Sequence, residues 1–537
     1  MRMARSKTQL SIVLLATALP ELFSGTAVGQ TTLEVRTMPQ IGQVDSRFVS
    51  FNVEAVEVTG GRFWKPYVQD SVLAAHVDSK AKQDQNQPAN MDAGLFQFRS
   101  PINLYNPKLR KLASALSPAF VRVSGTWRNS TYFQDNDEPA MNTPPEGYKG
   151  VLTRAEWKGV VDFSRAIKAD LVTSLATGAG TRGPDGLWTP DQAKAFFDYT
   201  SRIGGHIAAT EFMNEPTFAV IGGAPNSYDA AAFARDVKEF NAFLRKESPD
   251  TISLGPGSVG EGVSMIEGAP MPKVIKTEDM LKATGPVFDA FSYHFYGTVS
   301  KRCTGSLGPK AGMAPEKALS VAWLERNITV EEFYARLRDA YLPGKPLWLT
   351  ETGEAGCGGD PWASEFLDSF RFMDQLGSLA QKGVKTVMVN TLASSDYGML
   401  DEESLDPRPN YWAALLWKRT MGTRVLDPGP PPNASTRLYA QCAKEANGGV
   451  ALLILNLDST SELTLQLPLA GERYSLSAPD VLSKTVSLNG KELKAAPDGT
   501  LPRIAGSRFK SGTMNFAPLT ITFIVFPNAK DASCFSQ

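Results

Sequence analysis

Short apolar, β-branched runs recur along most of the chain, and longer stretches with helical spacing separate them. The runs at 48–53 (FVSFNV), 120–124 (FVRVS), 170–175 (DLVTSL), 208–213, 251–255, 288–294, 347–350 (LWLT) and 386–391 (TVMVNT) predict eight strands. Helix-spaced segments between them include 191–203, 230–246, 330–340 and 363–381, with Thr189-Pro190 and Thr329 as helix starts. Eight strands alternating with helices predict an α/β fold, a closed parallel (β/α)8 TIM barrel, over residues 47–423. An open doubly wound sheet is the alternative, but no GxGxxG loop follows the first run.

The pattern changes at Asp427-Pro-Gly-Pro-Pro-Pro432, a stiff breaker that marks a boundary. Runs at 437–442, 450–457, 462–467, 474–477, 485–488 and 519–526 then follow without helices between them. Alternation at Leu463, Leu465 and Leu467 predicts a β-sandwich with one covered face over 424–537. The early run at 32–36, within residues 30–46, is expected to add an N-terminal strand to that sandwich. Before it, Arg2, Arg5 and Lys7 precede an apolar segment at 10–19, and Ala27-Val28-Gly29 offers a small-x-small cleavage site. This reads as a signal peptide over 1–29. Ten apolar residues are too few for a membrane span, which needs about 20. A secreted or periplasmic protein without a membrane anchor is expected.

Composition narrows the picture. Lys and Arg total 55 against 56 Asp and Glu, so bulk charge offers no hold on a nucleic acid. The three histidines, His76, His206 and His294, are scattered, and neither a metal nor a cofactor is expected. The four cysteines, Cys303, Cys357, Cys442 and Cys534, form no CxxC pair and allow three pairings. Cys303–Cys357 with Cys442–Cys534 keeps each bridge within one proposed domain; free buried thiols are the competing reading.

Barrel enzymes carry their chemistry at the C-terminal ends of strands. Glu215 follows the fourth run in Phe212-Met-Asn-Glu-Pro216, and Glu351 ends the seventh. Retaining glycosidases need one carboxylic acid to protonate the leaving oxygen and one carboxylate to attack the anomeric carbon. Glu215 is the candidate acid/base and Glu351 the candidate nucleophile. Asn214 stands ready for a sugar hydroxyl, and Tyr296 for a hydrogen bond that keeps the nucleophile ionised. His294 is a candidate site residue or a buried structural histidine. Glu54 and Thr126 are hydroxyl ligands or packing residues. Trp127, Trp188 and Trp362 are stacking platforms or core.

These residues resemble glycoside hydrolase family 79, the heparanase and β-glucuronidase family. The resemblance runs from about Phe48 to the end. It includes FVSFNVEA around Glu54, VRVSGT at Thr126, FMNEP, YHFYG, LWLTETGEAGCGG, the long match from Tyr397 to Leu426, and the terminal NAKDASC. It implies a (β/α)8 barrel with a sandwich built from both chain ends. It also implies Glu215 as acid/base, Glu351 as nucleophile, Asn214 near the sugar 2-hydroxyl, and Glu54 and Thr126 as hydroxyl ligands. Tyr397 with backbone amides around Gly358 and Gly359 would hold a uronate carboxylate, and Cys442 would pair with Cys534.

Cys357 stands where the heparanase pattern has glycine. The segment 133–154 is too short for an excised linker, so a single active chain is expected. The loop at 255–262 carries Glu261 rather than a basic cluster, and Lys301 with Arg302 is the one basic pair placed at the barrel mouth. The expected function is a retaining exo-β-glucuronidase acting on a β-glucuronide or uronic-acid oligosaccharide. The alternatives are an endo-β-glucuronidase on glycosaminoglycans, a neutral-sugar barrel glycosidase, and an inactive carbohydrate-binding protein.

Overall fold

Period-2 alternation sorts each run's side chains to two sides of a sheet. In the computed structural model, which describes residues 33–67, 88, 91–265, 274–303 and 312–535, this alternation builds a closed barrel. The expected signal peptide and His76 lie outside the described residues.

In β1 (Val49–Glu54), Val49, Phe51 and Val53 enter the core between strands and helices, while Ser50, Asn52 and Glu54 are buried on the barrel's inner side. In β2 (Ala119–Ser124), Val121 and Val123 face the helices, and Phe120, Arg122 and Ser124 face inward. The circle is completed by β3 (Ala169–Ser174), β4 (Ile207–Glu211), β5 (Ile252–Ser258), β6 (Ala290–Tyr296), β7 (Leu347–Gly353) and β8 (Thr386–Val389). All neighbours are parallel, and β8 pairs with β1. Phe120, Val172, Ala209, Leu254, Ala290, Trp348 and Met388 plug the interior. Two residues further along the strands, toward their C-terminal ends, the interior turns polar with Arg122, Glu211, Ser292 and Thr350.

Capping residues start several barrel helices. Asn106 caps Pro107–Ser114, Thr153 and Glu156 form a capping box on Arg154–Ile167, and Asp229 caps Ala230–Glu247. The helix expected to begin at Thr329 begins at Arg326 and runs to Tyr341, because the short turn Val321–Leu324, capped by Ser320, leads straight into it.

The chain leaves the barrel through helix Pro409–Thr420 and enters a nine-stranded antiparallel sheet at Met421–Leu426. That strand pairs with Thr436–Ala443, so the proline run 427–432 connects two adjacent strands of one sheet rather than separating domains. Proline interrupts a ladder by lacking a donor, and a break between two strands looks the same in sequence as a boundary. The N-terminal strand is Gln40–Gln43, which pairs with Met421–Leu426. The run at 32–36 does not form it; its described residues Leu33 and Val35 pack irregularly with Met38 into the sandwich core. The Met38 amide donates to Asp531 Oδ2 at 2.7 Å, tying the two ends of the chain.

Leu463–Leu467 and Gly512–Phe516 form a two-stranded sheet that covers one face of the large sheet. The other face is covered as well. Tyr439, Leu453, Leu455 and Phe523 share a core with barrel helices Phe366–Gln381 and Pro409–Thr420. Two covered faces explain why every residue of Val450–Asn456 is buried, where one covered face was expected. Bridges join Cys442 to Cys534 and Cys303 to Cys357. Among the described residues, no helix is long and apolar enough to cross a membrane.

Candidate active site

At the C-terminal mouth of the barrel, Glu54, Asn214, Glu215, Tyr296, Glu351, Asn390 and Tyr397 share one cleft with Thr126 and Trp127. The residues that aim these groups come from the strand ends. Glu215 lies just beyond β4 in the left-handed region (φ +50), followed by Pro216. Non-glycine residues rarely adopt this conformation, and it turns the side chain out of the strand's regular alternation.

Glu351 is aimed by an extra residue in β7. Opposite β6, Tyr293 pairs with Leu349 but His294 pairs with Glu351, and opposite β8 the register slips over the same stretch. This bulge lets both Thr350 and Glu351 reach the interior. Thr350 donates to Glu211 Oε1 at 2.7 Å, while Glu351 accepts from Tyr296 Oη at 2.7 Å and from Arg122 Nη1 at 2.8 Å. The tyrosine contact is the one expected from sequence. Both Glu351 oxygens thus accept hydrogen bonds, as a carboxylate's do.

Oxygens of Glu215 and Glu351 and a nitrogen of His294 all lie within 4.8 Å of one another. Burial raises the Glu215 pKa above the ordinary carboxylate value; the His294 bond works against this, and the Glu351 charge adds to it. His294 Nδ1 lies 3.1 Å from Glu215 Oε1 and 3.7 Å from Glu351 Oε2. His294 itself is fully buried and does not line the cleft, so it stands behind the carboxylates rather than facing a sugar. Burial opposes its charging, but the facing Glu351 and the bonds to Glu211 and Glu215 outweigh that and raise its pKa to about 9.

Beneath this group lies a pair that the sequence reading passed over. Arg122 donates to Glu211 Oε2 and to Asn214 Oδ1, each at 2.8 Å from Nη2. These two bonds use both Nη2 hydrogens, leaving His294 Nε2, 3.2 Å away, to carry its own proton. Burial disfavours the charged form of Glu211, yet Arg122 and His294 hold its carboxyl well below the usual range. The period-2 alternation that puts Phe120 and Ala209 in the plug puts Arg122 and Glu211 one step above them. Glu215, His294 and Glu351 could also be read as cation ligands, but Arg122 already pairs with Glu351 Oε2, and the raised pKa of His294 keeps its ring from offering a lone pair.

Asn214 is pinned from both sides by Asn129, whose amide oxygen accepts from its N–H at 3.0 Å and whose amide nitrogen donates to its carbonyl at 2.9 Å. With Oδ1 turned to Arg122, its Nδ2 is the donor left for the cleft. Glu54 Oε1 accepts from Asn390 Nδ2 at 2.9 Å, while Oε2 is buried without a partner. Burial, then the Glu351 charge, push Glu54 well above the usual carboxylate range. Gly125 (φ +99) makes room for it, since a Cβ there would collide with Oε2. Asn390 also reaches Tyr296 Oη at 3.0 Å and Tyr397 Oη at 3.1 Å, and was not foreseen in the sequence.

Several expected residues stand elsewhere. Gly358 and Gly359 do not line the cleft; Gly356 and Cys357 do. Gly359 N donates to Ala355 O, and side chains at Gly358 and Gly359 would meet Ser395 and Ala363. Cys357, Gly358 and Gly359 are successively left-handed (φ +62, +83, +84), a tight turn that swings the second and third residues away. Trp188 and Trp362 are core, their indole N–H groups bonded to Ala176 O and Met313 O. Arg302 is bound to Asp396, Lys65 O and the Tyr67 ring, and Glu261 caps the helix start at Thr277, so neither faces the cleft.

No family model matches the sequence. Curated relatives do. The chain is 28% identical to the heparanase of Mus musculus over 490 residues, covering 80% of this chain and 88% of that one. It is 27% identical to heparanase-like protein 1 of Arabidopsis thaliana, covering 83% and 89%. It is 26% identical to the hyaluronoglucuronidase of Hirudo nipponia, covering 82% and 94%. Among solved structures, a 4-O-α-L-rhamnosyl-β-D-glucuronidase from Fusarium oxysporum shares the fold with a TM-score of 0.61 at 13% identity, over 92% of this chain and 100% of that one. A family 51 α-L-arabinofuranosidase from Thermotoga petrophila does so at 0.59 and 14% identity, over 92% and 99%. With heparanase-like sequence over most of its length and the barrel-and-sandwich architecture beneath it, this chain is a glycoside hydrolase similar to the heparanases of family 79.

Proposed function

We propose that this glycoside hydrolase acts on glucuronide-containing substrates, and that it is a retaining, exo-acting β-glucuronidase. The observation that carries the mechanism is the placing of Glu215 and Glu351 oxygens within 4.8 Å. Retaining enzymes hold their carboxyls about 5–5.5 Å apart, whereas inverting enzymes leave about 6.5–9.5 Å for a water. Glu351 attacks the anomeric carbon as the C1–O bond to the aglycone breaks, and Glu215 gives its proton to the leaving oxygen. Glu215 then takes a proton from water, which attacks C1 and frees Glu351. The pKa raised by burial suits Glu215 to donate; the Tyr296 and Arg122 bonds orient Glu351 to attack.

The substrate class comes from the relatives named as heparanases and as a hyaluronoglucuronidase. Within the cleft, Tyr397 and the left-handed turn at Cys357 are the groups assigned to the uronate carboxylate. A phenol and backbone N–H groups bind an anion without a cationic side chain. Exo action is favoured because Arg302 and Glu261 are engaged within the protein and offer nothing to a long polyanion.

The test compares aryl β-D-glucuronide with the aryl glucoside and xyloside, in the wild type and in Glu351→Gln. Turnover of the glucuronide alone, lost in Glu351→Gln, is expected. Faster turnover of the neutral sugars overturns the uronate assignment. Rapid shortening of heparan sulfate with little free glucuronic acid overturns exo action.

A further inference from the structure

The cleft is lined by two chemically different sets of residues. Glu54, Asn214, Tyr296, Glu351, Asn390 and Tyr397 make one set polar and hydrogen-bonding. The other set is apolar. Phe218 and Ile221, in the segment just after Glu215, are only partly buried although both are large and hydrophobic, and Met265, against Phe218, is partly buried too. Phe218 and Met265 pack against Val259, Ala363 and the rings of Tyr296 and Tyr397. The same cleft holds Trp127, which packs edge-on to Trp64 (6.1 Å, 87°) and Phe96 (5.9 Å, 87°), with Met91 and Cys357 on the same cluster. Among the described residues that line the cleft there is no lysine and no arginine, and the three carboxylates all belong to the polar set or the reacting pair.

The chemistry decides which of these residues meet which half of the substrate. An acid protonates the oxygen that leaves, so the leaving group lies on the side of Glu215. The Phe218 amide donates to Glu215 O and the Ile221 amide to Phe218 O, each at 2.9 Å, so this tight turn keeps both residues beside Glu215 and the leaving group. A hydroxyl-rich sugar placed there would lose water to apolar surfaces without hydrogen bonds in return, and a sulfated one would meet no lysine or arginine among the described lining residues. A flat hydrocarbon there would be covered by Phe218, Ile221 and Met265.

Resting on the glucuronidase reading above, we infer that the leaving-group side of this cleft takes an apolar, ring-bearing aglycone, so that the substrates are glucuronides of hydrophobic alcohols or phenols rather than uronic-acid polysaccharides. The bond broken is the same anomeric C1–O bond, and the aglycone leaves as the neutral alcohol after taking the Glu215 proton.

The experiment measures kcat/KM on methyl, benzyl and 2-naphthylmethyl β-D-glucuronides and on a disaccharide with glucuronic acid β-linked to a neutral hexose. Benzyl and naphthylmethyl alcohols are closely matched in acidity, so a difference between them reports binding of the ring. An increase of about tenfold per added ring is expected, the equivalent of ~1.4 kcal/mol of apolar burial. The disaccharide should be the poorest of the larger substrates. In Phe218→Ser and in Ile221→Ser the naphthylmethyl-to-methyl ratio should fall toward one, a ratio insensitive to the fraction of folded enzyme. Equal rates along the series, an unchanged ratio in both variants, or preference for the disaccharide overturns the apolar site and leaves the glucuronidase reading intact. Hydrolysis of an aryl glucoside with no turnover of any glucuronide overturns the glucuronidase reading, and this inference with it.

Discussion

At the scale of single residues, the site is a balance of buried charges. Arg122 and His294 supply two positive groups, and Glu211 and Glu351 two negative ones, all within a few hydrogen bonds of each other. Glu215 and Glu54 complete the set with carboxyls that burial pushes toward the protonated form. A buried ion network is tolerated only when each charge is paired, and here removing any one leaves a neighbour exposed to desolvation. His294 therefore acts on Glu215 as a positioning residue. Its bond and its charge both favour the ionised form of Glu215, so His294→Ala should raise the Glu215 pKa further. Because the proposed mechanism needs Glu215 protonated for the first step, the alkaline limb of kcat/KM should move to higher pH. A limb that stays in place, or moves to lower pH, would show that His294 does not tune Glu215.

At the scale of elements, the bulge in β7 matters most for the chemistry and was the least visible beforehand. The run LWLT and the ends of the other strands were legible because period-2 alternation and strand-end position are local properties of the sequence. The extra residue at Thr350–Glu351 is defined only by pairing with β6 and β8, which no single strand encodes. The same distinction accounts for Arg122: it stands inside a strand, and a charged residue there looks like a solvent-facing position until the barrel closes over it. Strand Met421–Leu426 was missed because it adjoins a helix without a break, and the two faces of Val450–Asn456 could not be told apart because helices cover the second one. The helix that does so, Phe366–Gln381, meets the sandwich through Asp374, which accepts from Tyr439 Oη at 2.6 Å and pairs with Arg437 at 3.2 Å. Burial raises the Asp374 pKa to about 6, while Tyr439 and Arg437 counter it. Tyr439→Phe should lower stability by ~1–3 kcal/mol, the value of a bond to a charged partner, without changing kcat on an aryl glucuronide. Urea denaturation against the wild type measures it, and an unchanged midpoint would deny that contact a stabilising role.

At the scale of the whole molecule, the chain is closed on itself by links between distant positions. The Cys442–Cys534 bridge spans 92 residues and anchors the last turn to the central sheet. Replacing both cysteines by alanine should cost ~2–4 kcal/mol, since the bridge restricts the unfolded chain most when the loop is long. Thermal unfolding of the double variant with and without reductant tests this; a melting temperature equal to that of the oxidised wild type would contradict it. The Met38–Asp531 hydrogen bond and the pairing of Gln40–Gln43 with Met421–Leu426 do the same work without covalent bonds. That last pairing has a consequence in time. Ribosomes extend a chain at ~5–20 residues per second, so the strand partner at Met421 emerges on the order of half a minute after Gln43 does. Through that interval Leu33, Val35 and Met38 have no core to enter. A segment made early is thus among the last to fold, and it is a stretch that a chaperone would hold for long.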